Sequence, residues 1–396
     1  MNILFVTNKN VYPLIGGIER ITYVLAQAFT HLYQYKCYSL YTQENAQGKT
    51  TEDVFADKYL LNKEMGEMEQ VAACLQKWQI DIVIAQGADG AVNSRMLMLR
   101  EAIDKVKRGK LLFVFHNMPG LELVKMDWAI LWSRIVQGSN IKANLKLVMM
   151  QILQTMAPKL CKKIIAPKYI NPYMAADKVV LLSDKFIDSY NDFVQGDISK
   201  YAVVNNMLSY DFVTDKKITD KQKEVVIVAR MEERQKRISY ALRIWRMLQK
   251  QHEEWTLNMV GYGEDLEYYK RLAKKWDLTH IRFEGLQAPL PYYLRASIFM
   301  MVSSFEGWPM TLIEAQQCGC ATIAFDSFGA AQDIVTDKQN GYLIPDKDIK
   351  GYAKVLSDLM DSEDLRNKIS KNGMESCRRF SAENIARQWN QLFESL

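Results

Sequence analysis

S-S-F-E-G-W-P-M-T-L-I-E-A, Ser303 to Ala315, carries the fold in miniature. The apolar run Ile298–Val302 ends where it begins. A Gly-Trp-Pro turn follows, and then the helical segment Met310–Cys318. Strand, tight turn and helix form the repeating unit of a parallel sheet wrapped by helices. Pro309 suits the first turn of a helix, where its missing N–H costs nothing. The same stretch sets two carboxylates eight positions apart. Glu306 stands in the turn, and Glu314 about one and a half turns inside the helix.

Outward from this unit the alternation repeats in both directions. Ile3–Thr7, Ile80–Ala85, Leu111–Phe115 and Val179–Leu182 read as strands, and Gly17–His31 as an amphipathic helix. The stretch Tyr210–Glu224 is polar, charged and poor in large apolar residues, as a linker is. Beyond it Val225–Ala229, Trp255–Val260, Ile281–Glu284 and Ala321–Ala324 read as strands. Helices follow at Ser239–Gln251, Leu266–Trp276, Ile349–Met360 and Ser381–Leu396, the last with Ser381 as N-cap. The expected fold is α/β, with two Rossmann-like doubly wound domains facing across a cleft lined by strand C-termini. The N-terminal domain takes 1–208, the linker 209–224 and the C-terminal domain 225–378. The helix in 379–396 packs toward the N-terminal domain.

Bulk composition agrees with two soluble domains. The chain has 396 residues, 48 % of them hydrophobic and 24 % charged. Its net charge of +5 is too weak to make nucleic acid a partner. The six cysteines form no C-x-x-C, and Cys318-Gly-Cys320 suits neither a zinc knuckle nor a redox pair. A reduced cytoplasmic setting follows. The opening M-N-I-L-F-V-T-N has no basic n-region, so it is expected to be a first strand, not a signal peptide. No run of about 18 apolar residues predicts a transmembrane helix.

Four features bear on chemistry. Gly16-Gly17 opens a helix after the first strand, where glycine lets an anion approach the backbone. It is not the G-x-G-x-x-G of nicotinamide-binding proteins. Arg230 and Lys236 leave the first strand of the second half, well placed for a diphosphate. Gly261-x-Gly263 is another glycine turn at a strand end. In the opening stretch, the N–H groups of Met310, Thr311 and Leu312 are expected to be free for phosphate oxygens. Glu306 and Glu314 cannot clamp phosphate, so they are expected to accept hydrogen bonds from neutral hydroxyls. The ligand this division implies is a sugar–diphosphate–nucleoside. Asp346-Lys347-Asp348 spells D-x-D, but it precedes a helix and is expected to cap it.

F-E-G-W-P-M-T-L-I-E-A resembles the E-x7-E motif of retaining glycosyltransferases of family 4, which have the GT-B fold. The resemblance extends to Gly16-Gly17, His116 in F-H-N-M-P, Val204–Leu208, Arg230 with Lys236, and Gly261-x-Gly263. It implies that Glu306 binds hydroxyls of the transferred sugar and Glu314 the ribose. Arg230 and Lys236 would hold the diphosphate and stabilise it as leaving group. Backbone near Gly16, Gly17, Gly307, Thr311 and Leu312 would assist, with Trp308 beside the sugar. His116 would orient sugar and acceptor. The implied reaction needs no cofactor and no metal. It moves a sugar from a nucleotide-diphosphate donor to a glycan or lipid-linked acceptor in bacterial cell-surface polysaccharide synthesis. Two departures stand out. Arg237 follows Lys236 where relatives carry glycine, leaving Arg234 as a rival to Lys236. Ala330-Ala331-Gln332-Asp333 replaces a glycine, proline and glutamate pattern. A nucleotide-sugar epimerase of the same fold, and a non-catalytic nucleotide-sugar-binding subunit, are the alternatives.

The positive charge is uneven. Between Leu123 and Lys168 lie Lys125, Arg134, Lys142, Lys146, Lys159, Lys162, Lys163 and Lys168, with Asp127 the only acid. Trp128, Trp132, Met149 and Leu153 are among the apolar residues interleaved. This composition fits an anionic membrane surface, and with it a peripheral position on the inner face of the cell membrane.

Overall fold

The computed structural model describes residues 1–12, 16–44, 54–62, 64, 66–87, 90–136, 141–210 and 221–396. They form two compact units. One contains Met1–Glu122, Lys159–Ser209 and Arg379–Leu396; the other contains Leu123–Pro158 and Tyr210–Arg378.

The first unit is a parallel sheet of seven strands: β1 (Asn2–Lys9), β2 (Lys36–Gln43), β3 (Asp57–Leu60), β4 (Ile82–Gly87), β5 (Lys110–Phe115), β6 (Lys178–Leu181) and β7 (Tyr201–Val203). Their order is β3-β2-β1-β4-β5-β6-β7. Winding therefore reverses between β1 and β4, which makes a crevice at the carboxyl ends of those strands. Central strands are buried on both faces, and Ile3, Leu4, Phe5, Val83, Ile84 and Phe113 are all fully enclosed. The C-terminal helix Ala382–Glu394 belongs to this unit. Ser381 caps it by accepting from the Asn384 N–H. Its Trp389 and Phe393 meet Phe29 of the helix Gly17–Tyr33 edge-on.

The second unit is a parallel six-stranded sheet of β8 (Gln222–Val228), β9 (Thr256–Val260), β10 (Ile281–Gly285), β11 (Ala296–Met301), β12 (Ala321–Asp326) and β13 (Tyr342–Pro345). The order β10-β9-β8-β11-β12-β13 puts the reversal between β8 and β11. Trp245, Trp255, Tyr269, Tyr293 and Tyr352 are its largest fully buried side chains. The buried Tyr352 hydroxyl reaches Ile323 O at 2.7 Å, so enclosure leaves it hydrogen-bonded.

Two boundaries differ from expectation. Leu123–Pro158 clusters with the second unit, although it lies within the 1–208 assigned to the first domain. Its Met126, Ile130 and Leu131 are buried in the second unit's core, a contact remote in sequence that no local pattern could show. Of the linker placed at 209–224, residues 211–220 lie outside the described residues, and its last part is already ordered sheet. β8 starts at Gln222, paired with Ala296, because ladder bonds outweigh a polar composition at an exposed strand start. Just before it, the Lys221 ammonium donates to the carbonyls of Tyr293, Ala296 and Cys318 at 2.7–2.8 Å.

Candidate active site

In the second unit the crevice is made by the loops after β8 and β11, the two strands at the reversal. The first loop carries Arg230 and the short helix Glu233–Lys236. The second is Val302–Pro309, leading into the helix Met310–Gln317. The loops are laced together. Ser304 N–H donates to Gln235 O at 2.7 Å, and Ser304 Oγ to Arg234 O at 2.7 Å. Arg237 donates from Nε to Val302 O at 2.9 Å and from Nη2 to Ser303 O at 2.7 Å. Its Nη2 also pairs with Asp346 at 2.7 Å.

This lacing places the charged pair. Lys236 Nζ lies 2.5 Å from Glu306 Oε1, and Gln235 Nε2 donates to Glu306 Oε2 at 3.0 Å. Both side chains are largely enclosed, where a charge-assisted contact counts for more than at an open surface. Arg234, the rival cation, instead lies over the Phe305 ring at 5.6 Å. A small cavity beside the pair is lined by Val228, Ala229, Lys236, Ser303 and Thr311 among others. Arg230 is exposed at the end of the β8 loop. Asp348 accepts from the Gly351 N–H at 2.9 Å and so caps the helix that follows the D-x-D.

The expectation of three free amides is corrected. Pro309 adopts φ −79°, ψ 80°, which tightens the helix entry. Met310 N–H then donates to Trp308 O at 2.9 Å and Leu312 N–H to Pro309 O at 2.9 Å. Among the described residues, only the Thr311 N–H of these three has no acceptor. Glu314 is fully buried and accepts from the Tyr293 hydroxyl at 3.2 Å. Trp308 is also buried, within its own loop.

The glycines do structural work at this end of the sheet. Gly261 has φ +140°, and a Cβ there would stand 1.9 Å from Ala229 O. A Cβ on Gly263 would stand 2.4 Å from Met231 O. Only glycine admits such an approach, and the approach holds the loop that bears Arg230. Behind that loop Glu233 is buried. It accepts from Ser239 Oγ at 2.6 Å, while its own N–H donates to Asp265 at 2.8 Å. Burial pushes its carboxyl up to about 7, against hydrogen bonds that pull it down.

The first unit presents a different crevice. His116 follows β5, and its Nε2 hydrogen-bonds the Gln86 side chain at the end of β4. A small cavity there is lined by Gln86, His116, Asn205, Asn206 and Trp389 among others. The V-N-N-M-L segment is therefore beside His116. Burial lowers the imidazole pKa to about 4, so the ring is neutral at pH 7. Gly17 has open space around it, but the Glu19 carboxylate lies over Gly16, 2.1 Å from where a Cβ would sit. An acid at that helix N-terminus competes with an incoming anion.

Gln235 and Arg237 were absent from the sequence-based site. Arg237 takes a left-handed conformation, φ 46°, ψ 42°, at the position where relatives carry glycine. The signal was the departure itself: a strained non-glycine residue needs contacts that hold it, and these are the bonds to Val302, Ser303 and Asp346. Among the described residues, no group of three or more His, Cys, Asp or Glu stands together in a way that could hold a metal ion.

Comparison with known proteins concentrates on the second unit. Residues 211–376 match the family model of glycosyl transferases group 1. Over 233 residues the chain is 30 % identical to the amylovoran biosynthesis glycosyltransferase AmsD of Erwinia amylovora, covering 56 % of this chain and 63 % of that one. Over 156 residues it is 30 % identical to an uncharacterized glycosyltransferase of Haemophilus influenzae, covering 39 % of this chain and 44 % of that one. The chain thus spans less than two thirds of the length of these curated relatives. Anabaena Alr3699/HepE, solved in complex with UDP and glucose, superposes with a TM-score of 0.74 at 16 % identity over the full length of both chains. That likeness is one of fold, and the fold is GT-B.

Proposed function

We propose that the chain, whose residues 211–376 match the family model of glycosyl transferases group 1, is a retaining glycosyltransferase acting in bacterial polysaccharide synthesis. It moves a sugar from a nucleotide-diphosphate donor to a hydroxyl of a glycan or lipid-linked acceptor, at the inner face of the cell membrane. The observation that carries this reading is the Lys236–Glu306 pair at the β8/β11 reversal, beside the Thr311 N–H. A cation and an amide suit the diphosphate, and a carboxylate suits sugar hydroxyls.

In the chain without donor the Lys236 ammonium is held by Glu306. Diphosphate oxygens supply a second anion for that ammonium, which frees Glu306 to accept from the sugar. Arg230, exposed at the loop end, closes on the diphosphate. The acceptor oxygen then attacks the anomeric carbon on the face from which the diphosphate departs. The bond from that carbon to the phosphate oxygen breaks, its electron pair leaves with the nucleoside diphosphate, and the acceptor proton passes to the departing oxygen. Lys236 and Arg230 stabilise the charge that develops there. Neutral His116 orients hydroxyls and takes no proton at pH 7. No metal is required. Glu314 holds the ribose.

Calorimetry with UDP, GDP, ADP and their common sugar conjugates, with and without EDTA, tests the reading. Tight, EDTA-insensitive binding of one nucleotide is expected. The UDP bound in the Anabaena relative makes uridine the first to try. No binding across the panel overturns the reading in favour of a non-catalytic subunit.

A further inference from the structure

The helix Ile141–Met156 turns an apolar face to solvent. Leu145, Met149, Ile152, Leu153 and Met156 recur at i, i+4, i+7, i+8 and i+11, which is one helical face. All five are exposed, Met149 by 71 % and Met156 by 80 %. The inner side holds the half-buried Leu147 and Val148 against the second unit's core, together with the buried Gln151 and Gln154, and Gln151 accepts from the Met126 N–H at 2.9 Å. A helix on a globular protein ordinarily turns a polar face outward. The preceding helix, Trp128–Val136, is apolar on both its inner and its outer side. Ile130 and Leu131 enter the core, while Trp128, Trp132 and Val136 face outward at i, i+4 and i+8, Trp132 exposed by 68 %. An apolar surface this large on a firmly seated pair of helices is an interaction surface.

Its charge says what covers it. Leu123–Pro158 contains Lys125, Arg134, Lys142 and Lys146 against Asp127, or 4 − 1 = +3. Neither helix contains an acid. A second copy of the chain would bring +3 against +3, and a neutral partner would leave these cations unanswered. A bilayer with anionic headgroups answers both features, taking the apolar stripe toward the acyl chains and the lysines at phosphate level. Tryptophan suits that boundary, with an apolar body and one polar N–H. At about 1.5 Å per residue the 16-residue helix is ~24 Å long. Among the described residues no helix is long and apolar enough to cross a membrane, so this one lies flat.

We propose that the helices Trp128–Val136 and Ile141–Met156, seated on the second unit, are a membrane-docking pair that lies in the headgroup region of an anionic bilayer. It deepens the membrane placement in the proposed function but stands without the transfer reaction. Docking through this pair fixes the crevice with Lys236 and Glu306 to the surface, where the first domain had been expected to make the contact.

The full chain is sedimented with phosphatidylcholine vesicles, with and without phosphatidylglycerol. Expected are co-sedimentation with the anionic vesicles, a blue shift of tryptophan emission and weakening by salt. The triple variant Trp132→Gln, Met149→Gln, Met156→Gln should bind at least about tenfold more weakly, with an unchanged melting temperature. No binding to anionic vesicles, or equal binding by the variant, overturns the proposal. So does a wild-type dimer that the variant converts to monomer, since the face would then cover a second copy. Should the triple variant fail to fold, Met149→Cys carrying a polarity-sensitive dye replaces it, all six native cysteines being buried. Unshifted dye emission with anionic vesicles overturns the proposal equally. Nucleotide calorimetry on the same samples reports the active-site reading separately, so either can fail alone.

Discussion

The two sheets share a winding scheme and end in opposite chemistry. At the carboxyl ends of β4 and β5 the first sheet presents Gln86 and His116, with Asn205 and Asn206 nearby, all neutral at pH 7. The second presents Lys236, Glu306 and Arg237, with Arg230 in reach of solvent. Topology selects where a ligand sits, while the loops select its charge. A neutral, hydrogen-bonding end suits the hydroxyls of an acceptor, and a charged one suits a diphosphate. The difference is also one of construction. The charged end is tied by backbone-directed bonds between its two loops, so its charges are held before any ligand arrives.

Breaking the charged end should cost most. Glu306→Ala is expected to lower kcat roughly 100-fold or more while nucleoside diphosphate still binds. Turnover near wild type would remove Glu306 from the chemistry. Glu314→Ala should weaken nucleotide affinity about tenfold and lower the melting temperature, because it leaves a cavity beside the Tyr293 hydroxyl. Unchanged affinity in calorimetry would contradict the ribose contact. Arg230→Ala should raise the donor KM several-fold and leave the melting temperature alone, since the side chain is exposed. A fall in stability would give Arg230 a structural role.

Two pH effects sharpen the comparison. Glu233 rises from 4.5 to about 7 on folding. Its contribution to stability is full below pH 4.5 and is lost as pH rises through about 7. Chemical denaturation of Glu233→Gln should therefore show a flatter stability profile across that window. His116 moves the other way, from 6.5 down to about 4. Its contribution is present above pH 6.5 and is lost as pH falls through about 4. Its imidazole resonance should titrate near pH 4 by NMR, and a midpoint near 6.5 would return the first crevice to ordinary solvent exposure.

Much of this was legible because the deciding signals are local. The apolar run before Ser303, the Gly-Trp-Pro turn and the helical pattern after it sit within twenty residues. They recur as β11, the Val302–Pro309 loop and the helix Met310–Gln317. What escaped was non-local. β2, K-C-Y-S-L-Y-T-Q, carries Ser39 and Thr42 into the interior, so no apolar run announced it. The segment Leu123–Pro158 follows the first unit's β5 in sequence and is claimed by the second unit's core. The amides of Met310 and Leu312 were lost to a turn whose ψ at Pro309 depends on the whole loop. Lys236 could be separated from Arg234 only once Glu306 and Phe305 had positions.

Lys221 has a mechanical meaning. Its ammonium is gripped by three carbonyls, from the helix Leu290–Arg295, the first residue of β11 and the turn before β12, at the threshold of β8. β8 then runs without a break to the loop bearing Arg230. The strand is thus a rod clamped at the end where the inter-unit connection arrives, with its working charge at the other. The three bonds fix the first residues of β8, so the start of the strand that leads to Arg230 is set by contacts within the second unit's own sheet.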